Sequence, residues 1–440
     1  MKRHSLSALV AAGLLAGGLA TGANAADLGG NCCADLEERI AELEATTARK
    51  GNRKVSLTIS GWVAEQVLFW DDGVESNVYV TGIGATLNSH FKLTGQATIA
   101  PGYQAGYVIH VETATADPFA VNQATDDATV FPSVSMLQSY WFINSDHMGK
   151  LSVGQLSHAS DNTAILVDGS GSLVPANWLI IEGGAFATRT NGILNGAVWG
   201  DVLNCGQTTA GIGADCNGLP LNAVRYDSPT FQGFSVSATW GEDDFWDVAA
   251  RYAGEFNGIK VAIAAAYSHT ADEGVFLQRN LAIGVDRRDS NYFQIGAFVT
   301  HVPTGLFAYA AYGNEDNNNI ALDPLGDGAG GEIQTPDTDH LYLKAGLRRK
   351  FNALGHTVMY AEWARYNDML SPSLIDATNA VVSADSEVNR WGLGLVQEVD
   401  AAAMSLWLTY RNIEGEFTID GVQTDLDDLH MVKAGALINF

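Results

Sequence analysis

Apolar residues in this chain recur at every second position in short runs, and after residue 25 no run reaches the roughly 18 apolar residues that a membrane-crossing helix requires. A period of two gives each strand one apolar and one polar face. Such strands bury their apolar faces against each other in a soluble sandwich, or turn them to lipid in a closed transmembrane barrel with a polar lumen. Phe234, Val236, Ala238 and Trp240 alternate with Ser235, Ser237 and Thr239. Trp391, Leu393 and Leu395 alternate with Arg390, Gly392 and Gly394, and Met404, Leu406, Leu408 and Tyr410 with Ser405, Trp407, Thr409 and Arg411. In a barrel the apolar set of each faces lipid.

The connections sort into two lengths. Tight turns rich in Gly, Pro, Asn or Asp stand at Ala100-Pro101-Gly102, Ser145 to Gly149, Ser228 to Gly233, Phe256-Asn257-Gly258, Pro303-Thr304-Gly305, Asn352 to Gly355 and Val399-Asp400-Ala401. Longer polar or Gly-rich connections lie at about 70 to 89, 113 to 133, 157 to 219, 241 to 246, 270 to 289, 313 to 338, 367 to 387 and 413 to 428. Seven turns and eight loops join sixteen strands, the first at Val55 to Phe69 and the last at Leu429 to Phe440. The expected fold is all-β: a sixteen-stranded antiparallel transmembrane β-barrel, residues 55–440. An even count puts both chain ends on the short-turn side and lets the sheet close, so that no unpaired edge meets lipid. A sandwich gives no reason for short and long connections to take turns. Trp70, Phe231, Trp240, Phe256, Phe307 and Tyr410, near strand ends, suit the interfacial aromatic girdles.

Residues 1–25 read as a secretory signal peptide: Lys2, Arg3 and His4, the apolar run Leu6 to Ala20, then Ala23-Asn24-Ala25 as the cleavage pattern. Removing Lys2 and Arg3 with it leaves 22 basic side chains against 50 acidic ones, a formal charge of −28. That excludes a basic nucleic-acid footprint. Export, a barrel and a final strand ending in Phe440 together place the expected protein in the outer membrane of a Gram-negative cell, among its lipids and lipopolysaccharide, with both termini periplasmic.

Four stretches resemble the general porin family of alphaproteobacteria: NCCADLEERIAELEATTARKGNRKVSLTISGWV at 31–63, NAVRYDSPTFQGFSVSATW at 222–240, LYLKAGLRRKFNALGHTVMYAEW at 341–363 and GLVQEVDAAAMSLWLTYR at 394–411. The N-terminal block and the VQEVDAA turn are the specific parts. The resemblance implies a homotrimer of sixteen-stranded barrels with the third loop folded into each lumen, passing small hydrophilic solutes and ions by passive diffusion, with no catalysis and no cofactor. The loops carry no matching motif, so the family's pore-lining acids do not transfer residue by residue.

The longest connection, about 157 to 219, is the third external loop of this count and is long enough to fold inward. Its acids Asp161, Asp168, Glu182 and Asp201 are candidates for one side of a constriction. By alternation the basic lumen positions of the wall are Lys92, Arg225, Arg251, Lys344, Arg348, Arg390, Arg411 and Lys433. Acids opposed to bases across a narrow pore set up a transverse field that orients dipolar solutes. Each charge also has the bland reading of a solvated barrel-interior residue. The net charge points to cation preference only insofar as the acids line the pore.

Ahead of the first strand, in residues 26–54, Cys33, Leu36, Ile40 and Leu43 follow the 3,4 spacing of a short coiled-coil seam that ends at Thr47. Three copies side by side give this periplasmic helix partners; a helix packed on its own barrel is the other reading. Cys205 and Cys216 share one loop and are candidates for a local disulfide, and Cys32 and Cys33 for bridges between chains. Acids from Glu315 to Asp339 offer carboxylates for Ca²⁺, but their spacing is not that of a twelve-residue Ca²⁺ loop. A substrate-specific channel would show stacked lumen aromatics, for which Trp141, Trp363 and Trp407 are the candidates. A barrel hydrolase would need Ser or Thr, His and an acid gathered on one face.

Overall fold

The computed structural model describes residues 54–176, 182–204, 219–242, 244–270, 284–323, 332–333, 336–371, 374 and 384–440. Its barrel strands are β1 (Thr58–Asp71), β2 in two pieces (Ser76–Thr81 and His90–Ala100), β3 (Tyr103–Thr113), β4 (Val134–Ser145), β5 (Gly149–Leu156), β6 (Leu221–Asp227), β7 (Phe234–Gly241) and β8 (Trp246–Phe256). They continue as β9 (Ile259–Thr270), β10 (Gly284–His301), β11 (Leu306–Asp323), β12 (Thr338–Arg349), β13 (Thr357–Asn367), β14 (Ala384–Val399), β15 (Met404–Ile419) and β16 (Val422–Asn439). Each strand pairs antiparallel with its sequence neighbours. Closure is direct, because β1 runs against β16 from Trp62↔Asn439 to Asp71↔His430. Sixteen antiparallel strands in a ring leave no edge, so the backbone groups at lipid depth are satisfied within the sheet.

The faces follow the period of two. On β7 the side chains of Phe234, Val236, Ala238 and Trp240 are exposed outward while Ser237 and Thr239 are buried inward. The residues of β1 alternate likewise, with Trp62, Ala64, Gln66, Leu68 and Trp70 inside. Phe231, Trp240 and Phe256 are exposed, as girdle residues must be. Two of the proposed girdle aromatics are corrected: Trp70 is 1% and Phe307 6% exposed. Both fall on inward positions, where Trp70 packs edge-on against Phe186 and Phe307 lies tilted against Phe298. Nearness to a strand end does not fix the face of a residue; parity along the strand does.

The eighth connection is shorter than the alternation implied. β15 and β16 stay paired to Ile419↔Val422 and turn through Asp420 and Gly421 alone, at φ of +51° and +77°. Two consecutive positive φ values define the hairpin turn whose twist matches its strands, and Gly421 takes the second without strain. Beyond the bilayer neither face needs to be apolar, so Glu414, Glu416, Asp425 and Asp427 sit in the outer ends of these strands, which carry no hydrophobic period. The β2 strand breaks at residues 82–89, which leave the sheet toward the lumen, where Leu87 takes a hydrogen bond from Trp62 Nε1. The Ser89 hydroxyl fills the gap in the ladder, accepting from Ala64 N–H and donating to Ala64 C=O. The principal apolar core lies inside the barrel, where Phe186, Trp199, Val202 and Leu203 of the third loop meet Trp70, Met369 and Leu429. No helix among the described residues is long and apolar enough to cross a membrane.

Candidate functional site

The described parts of the third loop, between β5 and β6, lie along the inner wall and are fastened to it at several points. At its start Arg225 donates to the carbonyls of Ser157 and His158, and Arg251 to the carbonyl of Ala159 and the hydroxyl of Thr163. Gln294 on β10 then brackets the chain, donating to Ser160 C=O and accepting from Ala164 N–H. The approach requires glycine opposite, since a Cβ on Gly296 would stand 2.1 Å from the Ala164 carbonyl oxygen. Lys344 on β12 bonds Asp168, the Ser172 hydroxyl at 3.0 Å and the Ala176 carbonyl at 2.8 Å, and lies over the rings of Tyr309 and Tyr360.

Farther along, Glu182 is held by two cations of the wall, Arg411 on β15 and Lys433 on β16, the latter at 2.5 Å. Arg390 on β14 donates to its backbone carbonyl. Arg411 also forms two bonds to Glu362 on β13, at 2.8 and 3.0 Å, and Tyr342 donates to the same carboxylate. Burial pushes the Glu182 carboxyl up, but Lys433, Arg411 and Arg390 together pull it down to about 2. Buried ion pairs add little net stability but tie down geometry, because breaking one strands a desolvated charge.

The loop then forms a small hairpin, Ala187–Thr190 against Ile193–Val198, turned by Asn191-Gly192. The hairpin ties down the mouth of the barrel. Arg189 bonds Asp72 and Glu75 of the first loop, and the N–H groups of Asn191 and Gly192 donate to Asp427. Asp201 accepts from the Ser371 hydroxyl and from Val198 N–H, and Asn204 N–H reaches Met369 C=O.

All eight basic residues named from alternation have side chains on the lumen side, but they divide by surroundings. Lys344, Arg390, Arg411 and Lys433 are buried against the loop, and Arg348 pairs with Glu398 near the short-turn end. Lys92, Arg225 and Arg251 border an open cavity of about 660 Å³ between the loop and the wall from β1 to β9. The four loop acids divide as well. Asp168 and Glu182 are in direct ion pairs instead of facing bases across open water, because the loop lies against the wall that carries those bases. Asp201 is a structural acceptor near the mouth. Asp161 alone borders the cavity, and it accepts from Ser157 and Asn162.

Several functional residues escaped the sequence reading. Glu362, Asp227 and Asp247 occupy inward positions, and the same parity that selected the basic residues would have selected them. Lys150, also on the cavity, is the second residue of β5, where a turn boundary hides the parity. Trp141 and Trp363 face outward, leaving Trp407 inside, so no aromatic stack lines the lumen from these three. Asp247, His158 and Ser160 do meet, but His158 Nδ1 contacts both Asp247 at 2.7 Å and Ser160 at 3.1 Å. A hydrolase relay needs acid and nucleophile on opposite ring nitrogens. No three of the described His, Cys, Asp and Glu side chains gather as metal ligands, and of the acidic Ca²⁺ candidates between Glu315 and Asp339, Asp327 lies outside the described residues. Cys32, Cys33, Cys205 and Cys216 lie outside the described residues, as do the signal peptide and the coiled-coil seam.

The comparisons agree with the architecture. The anion-selective porin from Comamonas acidovorans superposes with a TM-score of 0.54 at 15% identity, over 88% of this chain and 100% of that one. Salmonella typhi OmpF, in its complex with daunomycin, gives 0.51 at 14% identity over 89% and 100%, and the outer-membrane expressed OmpT of Vibrio cholerae 0.50 at 12% over the same shares. At these identities the likeness is one of fold. No curated protein sequence matches the chain. The family model for Gram-negative porins matches residues 6–436. The chain therefore belongs to the Gram-negative porins, outer-membrane β-barrels that let solutes diffuse passively and catalyse no reaction.

Proposed function

We propose that small hydrophilic solutes cross this barrel between the third loop and the wall from β1 to β9, and that the opposite half of the lumen is closed by the loop. The carrying observation is the cavity of about 660 Å³ on that side, with Lys92, Arg225 and Arg251 on its border. Lys344, Arg390, Arg411 and Lys433 then act as anchors that keep the loop at its post, and Asp161 is the loop acid nearest the solute path. The assembly is a homotrimer and its nearer kin are the general porins of alphaproteobacteria; both readings rest on the residue blocks at 31–63 and 394–411. Residues 26–54 serve the same trimer as a periplasmic helix, on the strength of their 3,4 spacing, with Cys32 and Cys33 placed for bridges between chains, and Cys205 with Cys216 stiffens the loop.

Purified protein added to a planar bilayer is expected to open channels in multiples of three. The charge at position 92 should alter single-channel conductance, while the conservative Arg390→Lys variant should leave it nearly unchanged. Conductance that responds to position 390 and ignores position 92 would place the path on the wrong side of the loop.

A further inference from the structure

The surfaces on the two sides of the open passage differ in kind. The wall contributes four cations, Lys92, Lys150, Arg225 and Arg251. Against them the described residues set three carboxylates, each already engaged or remote. Asp227 accepts twice from Arg225, at 2.7 and 2.9 Å. Asp161 is bonded by Ser157 and Asn162, and Asp146 stands in the exposed turn between β4 and β5. Arg251 donates only to neutral acceptors, Ser237, Ala159 and Thr163. The ammonium of Lys150 lies 5.4 Å from the centroid of the Phe142 ring and 6.0 Å from that of Tyr140. The loop answers this cationic wall with a polar start, Ser157 to Thr163, followed by a hydrocarbon stretch, because Ile165, Leu166, Val167, Leu173 and Val174 form the rest of its described side of the cavity. The described border thus carries four cations against three acids, and most of the acids that make the full chain −26 lie elsewhere.

We infer that this passage selects small organic anions with an apolar body, aromatic or branched carboxylates, whose charge follows the Lys92 and Lys150 wall while their hydrocarbon slides on the loop. A carboxylate traversing the passage exchanges part of its hydration for the cations, and an apolar body loses unfavourable contact with water on the loop side. An inorganic anion gains only the first contribution and a cation neither. The inference rests on the proposed path between loop and wall.

The test is the reversal potential of single channels in a KCl gradient, followed by benzoate and acetate added at equal concentration to chloride-carrying channels. The wild-type protein is expected to pass chloride in preference to potassium at about 0.1 M salt, with the preference shrinking toward unity at about 1 M as the screening length falls from about 10 to about 3 Å. Benzoate should reduce the chloride current where acetate does not. The double variant Lys92→Gln with Lys150→Gln should lower the chloride-to-potassium permeability ratio at least about two-fold. Leu166→Asn should weaken the benzoate effect and leave the reversal potential in place. Open channels that prefer potassium, or that treat benzoate as acetate, would overturn the inference while leaving the pore intact. No channels at all would overturn the pore reading and the inference with it. The wild-type reversal potential decides even where a variant fails to fold.

Discussion

The two halves of the inner wall carry the same kinds of side chain and use them differently. On β12 to β16, Lys344, Arg390, Arg411 and Lys433 are buried and spent on the loop through Asp168, Glu182 and backbone carbonyls. On β2 to β8, Lys92 and Lys150 border water-accessible space, and Arg225 and Arg251 border it while also holding the start of the loop by its carbonyls, with no loop carboxylate paired to them. A basic residue on a lumen position is thus not yet a pore residue. Its role depends on whether a carboxylate of the loop reaches it first, and on the proposed path the ion pairs that occupy one half keep the other half open.

Removing Glu182 tests that contrast most severely. Glu182→Ala leaves Arg411 and Lys433 desolvated without their shared partner, a loss of about 3–5 kcal/mol for a broken buried pair. The expected result is a marked drop in resistance to heat and denaturant, with noisier, larger channels as the loop leaves the wall. Quiet channels of wild-type size would sever the link between the anchor and the passage. Asp168→Asn should act in the same direction and more weakly, since Lys344 keeps Ser172, the Ala176 carbonyl and two tyrosine rings.

Acid should sharpen the comparison. Glu182 is held down to about 2 when folded, below the ordinary glutamate value of about 4.3, so its stabilising share is complete above that value and is lost as pH falls toward 2. Channel noise is accordingly expected to stay flat from pH 7 to about 4.5 and to rise below it. A rise centred at pH 6 would point to a different group. The smallest effect belongs to the turn at the tip of β15 and β16. Gly421→Ala at a φ of +77° should cost about 1 kcal/mol and leave conductance untouched, because the turn stands clear of the passage.

Much of this architecture was legible from local pattern. Parity along β7, β14 and β15 assigned the lipid and lumen faces, and tight turns alternating with long connections fixed the strand number before any pairing was known. The same parity, followed through, rejects Trp70 and Phe307 as girdle residues and adds Glu362, Asp227 and Asp247 to the lumen. The two hairpin turns were also written in the chain, as Asn191-Gly192 and Asp420-Gly421, but their flanks carry no lipid-facing period and so read as loop.

Alternation is a property of neighbouring residues, so the sequence alone determined that the strands close into a ring with charged groups inside. Which of those charges meets a partner depends on where a loop lies after the ring has closed. Glu182 finds Arg411 and Lys433 at separations of 229 and 251 residues, and no local spacing encodes that meeting. The tertiary structure decided it, because a chain crossing the lumen must satisfy its own buried polar groups, and where Glu182 comes to lie the cations within reach are those of β15 and β16.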